Sequence, residues 1–189
     1  MSKLSQSFYQ KPALEIAKDF LGKYLVFNSP KGKISGKIVD VEAYPAFSDK
    51  VSHGNKRTNR TEVMYREGGY TYVYLIYGIY HQFAVVVNKK DIADVVFIRA
   101  VIPSEGINIM EQNFGRSVKR VNDLTKSPGN LCKSFGIDLS LYGVDMTEDI
   151  LFIEDRDELI NPLSIITANR AGINQKLEGW DKKIRFYIK

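Results

Sequence analysis

The sequence predicts an α+β fold: a single domain, residues 1–189, with a curved, mainly antiparallel sheet, a protruding β-hairpin and flanking helices. Three observations lead to this prediction. Short runs rich in Val, Ile, Tyr and Phe recur along the chain and are joined by tight turns, which is typical of antiparallel strands. Helical patterns are few, and they do not alternate with strands as βαβ units would require. The chain is also long enough to bury about 70% of the surface that its unfolded form exposes.

The first third of the chain predicts one helix and two strands. Residues 12–22 begin with Pro, end with Gly and carry apolar residues at helical spacing, so we expect a helix on the core. Residues 24–27 predict a strand, and a turn leads from it into a second strand over residues 33–43. Glu42 therefore falls at the end of a strand. The polar stretch 48–69 has no clear period and predicts an ordered loop.

The next segment predicts a hairpin with a tyrosine at its tip. Residues 70–77 and 80–88 are strong strand signals, and Gly78 between them permits a tight reversal. A bulky ring at a hairpin tip has no core to enter, so Tyr77 is a candidate to wedge into nucleic acid. Alternation along the first strand puts three rings on one face, where at least two are expected to pack on the core: Tyr70, Tyr72 and Tyr74.

The rest of the chain predicts two more helical segments and four strands. We expect a strand over residues 93–100, a helix over 105–114 capped by Ser104, a basic loop over 116–126, and a short helix after Ser127 that runs through Phe135. The last three strands are predicted over residues 151–153, 164–167 and 184–188.

Composition narrows the class of protein but identifies no reaction. The chain has 27 Lys and Arg against 22 Asp and Glu, and the net charge of +5 suits a phosphate-facing surface or simply a solvated one. The single Cys132 can form no internal disulfide and is expected to be a small buried residue. The start of the chain is polar and no run of about 18 apolar residues occurs, so we expect a soluble, cytoplasmic protein.

Recognised cofactor motifs are not found in the sequence. It contains no phosphate-binding loop and no dinucleotide fingerprint, so a nucleotide cofactor is not expected. His53 and His81 are its two histidines, and neither lies in a zinc-binding pattern. A catalytic metal site is therefore not expected either.

Glu42 stands among aromatic residues, and this is the pattern that suggests chemistry. A carboxylate can activate water, while the rings of Tyr44 and His53 can stack on a flat substrate and hydrogen-bond to it. The alternative for Glu42 is an exposed or salt-bridged carboxylate at the rim of the sheet, a description that fits Asp40 better. Tyr44 and His53 taken singly are also compatible with ordinary core or surface positions.

Several short motifs together resemble one known family. They are Val-Glu-Ala-Tyr at 41–44, a His eleven residues after the Glu, Tyr-Val-Tyr-Leu-Ile-Tyr-Gly-Ile-Tyr at 72–80, Ile-Arg-Ala at 98–100 and Arg-Phe-Tyr-Ile at 185–188. Over residues 14–189 the chain resembles the alkyladenine (3-methyladenine) DNA glycosylases. These enzymes start base-excision repair by releasing damaged purines.

The resemblance implies roles for individual residues. Glu42 would be the general base on a water that attacks the sugar C1′, and Arg99 would help to position that water. Tyr44, His53 and Tyr74 would hold the flipped base. Tyr77 would fill the gap left in the duplex.

The resemblance also implies partners and products. It implies binding to double-stranded DNA with damaged purines through the minor groove, no metal or organic cofactor, and an abasic product without strand cleavage. We expect a monomer, associated with the nucleoid if the source is bacterial. Two alternatives remain: a non-catalytic module that binds damaged DNA, and a substrate-binding domain of formyltransferase type.

Two positions depart from the family pattern. Ala84 stands in the base-binding region where the family usually has Asn, which affects substrate range. Asn130 stands where a Lys usually precedes the Leu-Cys pair, which removes a positive charge that could contact phosphate.

Overall fold

The computed structural model describes residues 1–47 and 49–189. These residues form one antiparallel sheet with helices packed against it. The nine strands of the described residues are β1 (Ser2–Lys3), β2 (Tyr24–Ser29), β3 (Gly32–Tyr44), β4 (Thr71–Ile76), β5 (Tyr80–Val87), β6 (Asp94–Glu105), β7 (Leu151–Asp155), β8 (Ile165–Ala168) and β9 (Arg185–Ile188). The helices are α1 (Ala13–Phe20), α2 (Ile107–Phe114) and α3 (Pro128–Phe135). This architecture confirms the α+β prediction.

The long strand β3 is central because it pairs with three others. The sheet runs β1-β7-β2-β3-β6-β5-β4, with β6 along one side of β3. On the other side, the first half of β3 pairs with β2, and residues 40–42 pair with β9, which also pairs with β8. The end of β3 therefore lies between β6 and β9.

The alternation of side chains divides the sheet into two faces. Val41, Val73, Phe83, Val85 and Ile98 belong to the main core cluster, which also contains apolar residues of the three helices. Residues one position away point to the opposite face. That second face carries a smaller cluster: Tyr44, Tyr72, Tyr74, Ala84, Val86, Val95 and Phe97.

The predicted elements agree with the structure except at a few boundaries. The helix predicted over 105–114 begins at Ile107, and its cap is Gly106, not Ser104. Ser104 is part of β6, because Pro103 and Glu105 pair with Gly36 and Ser35 of β3 and so extend the strand. The two-residue strand β1 was not predicted.

The loop predicted over residues 48–69 contains two short 3₁₀ helices, His53–Asn55 and Glu62–Tyr65. Its first residue, Ser48, lies outside the described residues. Similarly, the basic loop 116–126 contains a short 3₁₀ helix, Val121–Leu124.

Candidate active site

Glu42 is a fully buried carboxylate that accepts two hydrogen bonds and pairs with one arginine. The backbone N–H of Ala171 donates to Oε1 at 2.8 Å, and the Tyr44 hydroxyl donates to Oε2 at 3.0 Å. Arg99 Nη1 lies 3.1 Å from Oε1. A carboxylate has about four acceptor sites, so these three contacts leave capacity for one more donor, such as a water.

A second carboxylate balances the charge around Arg99. Asp40 accepts two hydrogen bonds from Arg185, from Nε at 2.9 Å and from Nη2 at 2.6 Å, and Arg99 Nε lies 3.6 Å from Asp40 Oδ2. Two carboxylates and two guanidinium groups thus form one neutral cluster, which makes burial of their charges tolerable. Among the described residues, Asp40 accepts hydrogen bonds from Arg185 alone, so it is the carboxylate of the two that is fully engaged in ion pairing.

An irregularity between β3 and β6 lies at this cluster. Val41 is opposite Ile98 and Asp40 is opposite Ala100, so Arg99 has no direct partner in the ladder. Such bulges re-aim side chains and are frequent beside active sites. Here the bulge accompanies an arginine that reaches both carboxylates.

Aromatic side chains line a cavity of about 390 Å³ on the same face of the sheet. The rings of Tyr72 and Tyr74 stack with centroids 4.9 Å apart, and His53 meets Tyr74 edge-on, also at 4.9 Å. His53 Nδ1 lies 3.0 Å from the Tyr72 hydroxyl, which fixes the orientation of the imidazole. The predicted ring residues Tyr44, His53 and Tyr74 all line this cavity, as does Ala84.

Burial keeps these polar rings neutral. It raises the pKa of Tyr72 to about 12, and the pKa of Tyr74 is also raised, first by burial and then by the neighbouring Tyr72. Burial, followed by the charge of Glu42, raises the pKa of Tyr44 well above its ordinary value. The pKa of His53 is lowered by burial and secondarily by Arg60. A flat cationic ligand would therefore meet uncharged rings in this cavity.

The aromatic cavity adjoins a cleft that reaches Glu42. This cleft, of about 460 Å³, is lined by Glu42, Arg99 and residues 171–173, among others. It shares Tyr44, Tyr74, Tyr77 and Phe97 with the aromatic cavity. A ring bound in the cavity can thus lie next to a group held in the cleft.

Tyr77 is at the tip of the predicted hairpin and is 83% exposed. Ile79 N–H donates to the carbonyl of Ile76 at 3.1 Å, and Tyr77 and Gly78 between them have φ angles of 53° and 69°. Two positive φ angles are typical of the type I′ turns that close hairpins, but they are rare for a residue with a bulky side chain. Tyr77 therefore combines an unfavourable backbone conformation with an exposed aromatic ring.

A basic surface lies beside the cleft. A depression lined by Arg116, Lys119 and Lys126 shares Asn130 with the Glu42 cleft. Asn130 is in the first turn of α3, and its side chain donates to the carbonyl of Asp123 at 3.0 Å. Asn130 is therefore engaged in a local hydrogen bond next to two lysines and an arginine.

The described residues contain neither a metal-binding cluster nor a membrane-spanning helix. No group of three or more His, Cys, Asp or Glu side chains is arranged to hold a metal ion. In the part of the chain that the structure describes, no helix is both long and apolar enough to span a membrane.

Sequence reasoning assigned no site role to several residues that line or support the site. Tyr72 was expected only on the tyrosine face, yet its hydroxyl bonds His53. Phe97 lines both cavities, and its place two residues before Arg99 on a strand was a usable signal. Ala171 acts through its backbone N–H, which any residue except Pro could supply, so its side chain gave no signal.

Comparison with known proteins assigns the chain to a family. The family model described as methylpurine-DNA glycosylase matches residues 7–189, which is nearly the whole chain. The chain belongs to the methylpurine-DNA glycosylase family. This result confirms the resemblance seen in the motifs around Glu42 and the hairpin.

Curated relatives within this family align over the full length. A protein of Clostridium novyi (strain NT) is 42% identical over 199 residues, covering 100% of this chain and 96% of the relative. A protein of Natranaerobius thermophilus is 44% identical over 191 residues, covering 99% and 96%. Both carry the name "Putative 3-methyladenine DNA glycosylase".

Proposed function

We propose that the protein is a DNA glycosylase that hydrolyses the N-glycosidic bond of alkylated purines in duplex DNA. The observation that carries the proposal is the position of Glu42. It is fully buried, accepts two hydrogen bonds, pairs with Arg99, and lies at the wall of a cleft that adjoins an aromatic cavity. Family membership and the names of the relatives support the same activity.

In the proposed reaction Glu42 is the general base. A water in the cleft gives its proton to the carboxylate, and its oxygen attacks C1′ of the target nucleotide. The bond from C1′ to the base nitrogen breaks, and its electron pair leaves with the base. The negative charge of Glu42 also stabilises the positive charge that develops on the sugar. Arg99, 3.1 Å from the carboxylate, orients it and can contact the same water.

The aromatic cavity is proposed to select the base. Alkylation at a ring nitrogen gives a purine a positive charge, and the faces of Tyr44 and Tyr74 attract cations by about 0.5 to 2 kcal/mol per contact. His53 is proposed to hydrogen-bond to the base through the ring nitrogen that does not contact Tyr72. A neutral His53 adds no charge that would repel such a base.

The target base is proposed to leave the duplex before reaction. The cavity is lined largely by buried and half-buried side chains, which a base can reach only outside the stack, and a damaged base costs less to unstack than a normal one. Tyr77, exposed at the hairpin tip, is proposed to occupy the vacated space, and the basic depression beside Asn130 to contact phosphates.

The product is proposed to be an abasic site in an unbroken strand. Glycosylases that also cut the strand need an amine nucleophile for a covalent intermediate. Among the described residues that line the Glu42 cleft there is no lysine. A water-mediated reaction without strand cleavage fits this lining.

The test is base release from defined duplexes. The protein is incubated with duplexes carrying 3-methyladenine, 7-methylguanine, hypoxanthine or 1,N6-ethenoadenine, and free base and strand length are both measured. We expect release of at least one base, with strand cleavage only after alkali. Selective binding without release would favour the non-catalytic damage-binding module. Absence of any preference for damaged DNA would favour the formyltransferase-type alternative.

A further inference from the structure

A buried ion pair joins Asp49 to Arg170 behind the candidate active site. Both side chains are fully buried, Arg170 Nη2 donates to Asp49 Oδ1 at 3.2 Å, and Nη1 contacts Oδ2. Arg170 Nη2 also donates to the backbone carbonyl of Gly179. The desolvation of two buried charges offsets much of their attraction, so such a pair is weak evidence for a purely stabilising role.

The surroundings of Arg170 link it to Glu42. The N–H of the next residue, Ala171, donates to Glu42 Oε1. The Arg170 guanidinium also lies over the ring of Tyr44, with Cζ 5.1 Å from the centroid, and the Tyr44 hydroxyl donates to Glu42 Oε2. Arg170 therefore adjoins two of the three groups that hold the carboxylate.

Arg170 also connects two loops that form walls of the site. It lies in the connection 169–184 between β8 and β9, whose residues 171–173 line the cleft. Asp49 lies in the loop that follows β3, after Tyr44. The ion pair thus ties the wall of the cleft to the loop beyond the Tyr44 ring.

We propose that Arg170, held by Asp49, is a positioning residue for Glu42. It sets the Ala171 N–H and the Tyr44 ring against the carboxylate, so that Glu42 faces the cleft in one orientation. This inference rests on the proposed role of Glu42 as general base. Lysine cannot take the place of Arg170, because a single ammonium cannot serve Asp49, Gly179 and the Tyr44 face together.

The test compares Arg170→Lys with a matched control at the far side of the sheet. Arg156 is also a mostly buried arginine: it donates to Glu154 at 2.7 Å and to Glu105 at 3.0 Å, and it lies 4.0 Å from the Tyr24 ring centroid. Arg156→Lys therefore removes the same kind of interaction without touching the Glu42 site. Both variants are assayed well below their melting temperatures, so that each is folded.

Two measurements are made on each variant. The first is the single-turnover rate of base release, beside the Kd for the lesion duplex. We expect Arg170→Lys to lower the rate by about tenfold to 100-fold, because small misplacement of a reacting group is costly, while Kd stays within about twofold. Arg156→Lys should keep the parent rate. In a Glu42→Asp background, where the carboxylate is already displaced, Arg170→Lys should cost much less than in the parent.

The second measurement is amide hydrogen exchange at Ala171 in the free protein. Arg170→Lys should accelerate it by about tenfold or more, and Arg156→Lys should not. This readout needs no activity: a parent that releases no base would overturn the proposed function while exchange still tests the positioning role. Unchanged Ala171 exchange in Arg170→Lys would overturn the inference. The inference would also be overturned if Arg156→Lys lowered the rate as much as Arg170→Lys does. The same holds if Arg170→Lys lowered the rate equally in the parent and in the Glu42→Asp background.

Discussion

Arg99 Nη1 lies 3.1 Å from Glu42 Oε1, although the two residues come from different strands whose register is interrupted between them. The same guanidinium lies 3.6 Å from Asp40, which Arg185 neutralises by two hydrogen bonds. Arg99 thus pairs with two carboxylates: Glu42, which lines the cleft, and Asp40, which does not. This arrangement lets a buried acid lie at the cleft without an uncompensated charge.

Glu42→Gln should abolish base release while binding of lesion DNA persists. The amide has the shape of the carboxylate but cannot accept a proton from water, and loss of a general base costs about 10² to 10⁴ in rate. Single-turnover kinetics and Kd on the same duplex measure the two effects separately. A rate within a few-fold of the parent would remove Glu42 from the proposed mechanism.

The fold was predictable where the sequence pattern is local. Alternation placed the tyrosines of β4 on one face, and the Tyr77-Gly78 pair predicted the hairpin tip, because both depend on residues close in sequence. The predicted start of α2 was wrong because pairing with β3 extends β6 through Ser104. The local sequence does not indicate this pairing.

The site was predictable only in part, for the same reason. Glu42 and Tyr44 are neighbours on one strand, so their shared face follows from alternation. The role of Arg99 beside the attacking water was expected through family resemblance alone, and its contact with Glu42 was not predicted. Asp49 and Arg170 are 121 positions apart, and nothing in either local sequence indicates that they pair.

Tyr77→Ala should weaken binding to lesion duplexes more than to duplexes whose target base already lacks its partner. In the first duplex the ring replaces stacking that the flipped base gives up, and stacking of a base on an aromatic ring is worth about 1 to 3 kcal/mol. In the second duplex the target base is unpaired and costs less to extrude, so the ring has less to offset. Fluorescence anisotropy on the two duplexes measures the difference. Tyr77→Phe keeps the ring and should bind as the parent does; equal losses on both duplexes in Tyr77→Ala would contradict the wedge role.

Acid should inhibit release of cationic bases through His53. Burial lowers the pKa of His53 below its ordinary value of 6.5, so the ring is neutral at pH 7 and gains its charge only as pH falls through that lowered pKa. The charge would then repel an alkylated purine in the same cavity. The ratio of 3-methyladenine to hypoxanthine release should therefore fall with decreasing pH, because hypoxanthine is neutral. His53→Gln should make the ratio independent of pH, whereas His81→Gln should not; a pH-dependent ratio in His53→Gln would assign the effect to another group.

Ala84 should make the cavity more tolerant of guanine lesions than that of an Asn-bearing relative. Ala84 is 1% exposed at the cavity wall, and its neighbours across the strands are Tyr72 and Phe97. By family resemblance, Asn at this position crowds the exocyclic amino group that guanine carries and adenine lacks. Ala lacks the side-chain amide, so the pocket wall loses the atoms that would crowd guanine. Phe83 points to the opposite face of the sheet and cannot fill the space, which leaves Tyr72 and Phe97 as the cross-strand neighbours that could.

Ala84→Asn should therefore shift release toward adenine lesions. We expect the ratio of 3-methyladenine to 7-methylguanine release to rise by about tenfold or more, the scale of discrimination that one group in a pocket supplies. Ala84→Leu adds comparable bulk without an amide. An equal shift of the ratio in the Ala84→Leu variant would indicate exclusion by volume, and a shift in the Ala84→Asn variant alone would indicate recognition by the amide. Melting temperatures identify any loss caused by burying an unpaired amide, which costs about 1 to 3 kcal/mol. If the ratio is unchanged in both folded variants, Phe97 or another wall of the cavity sets selectivity and the tolerance assigned to Ala84 is wrong.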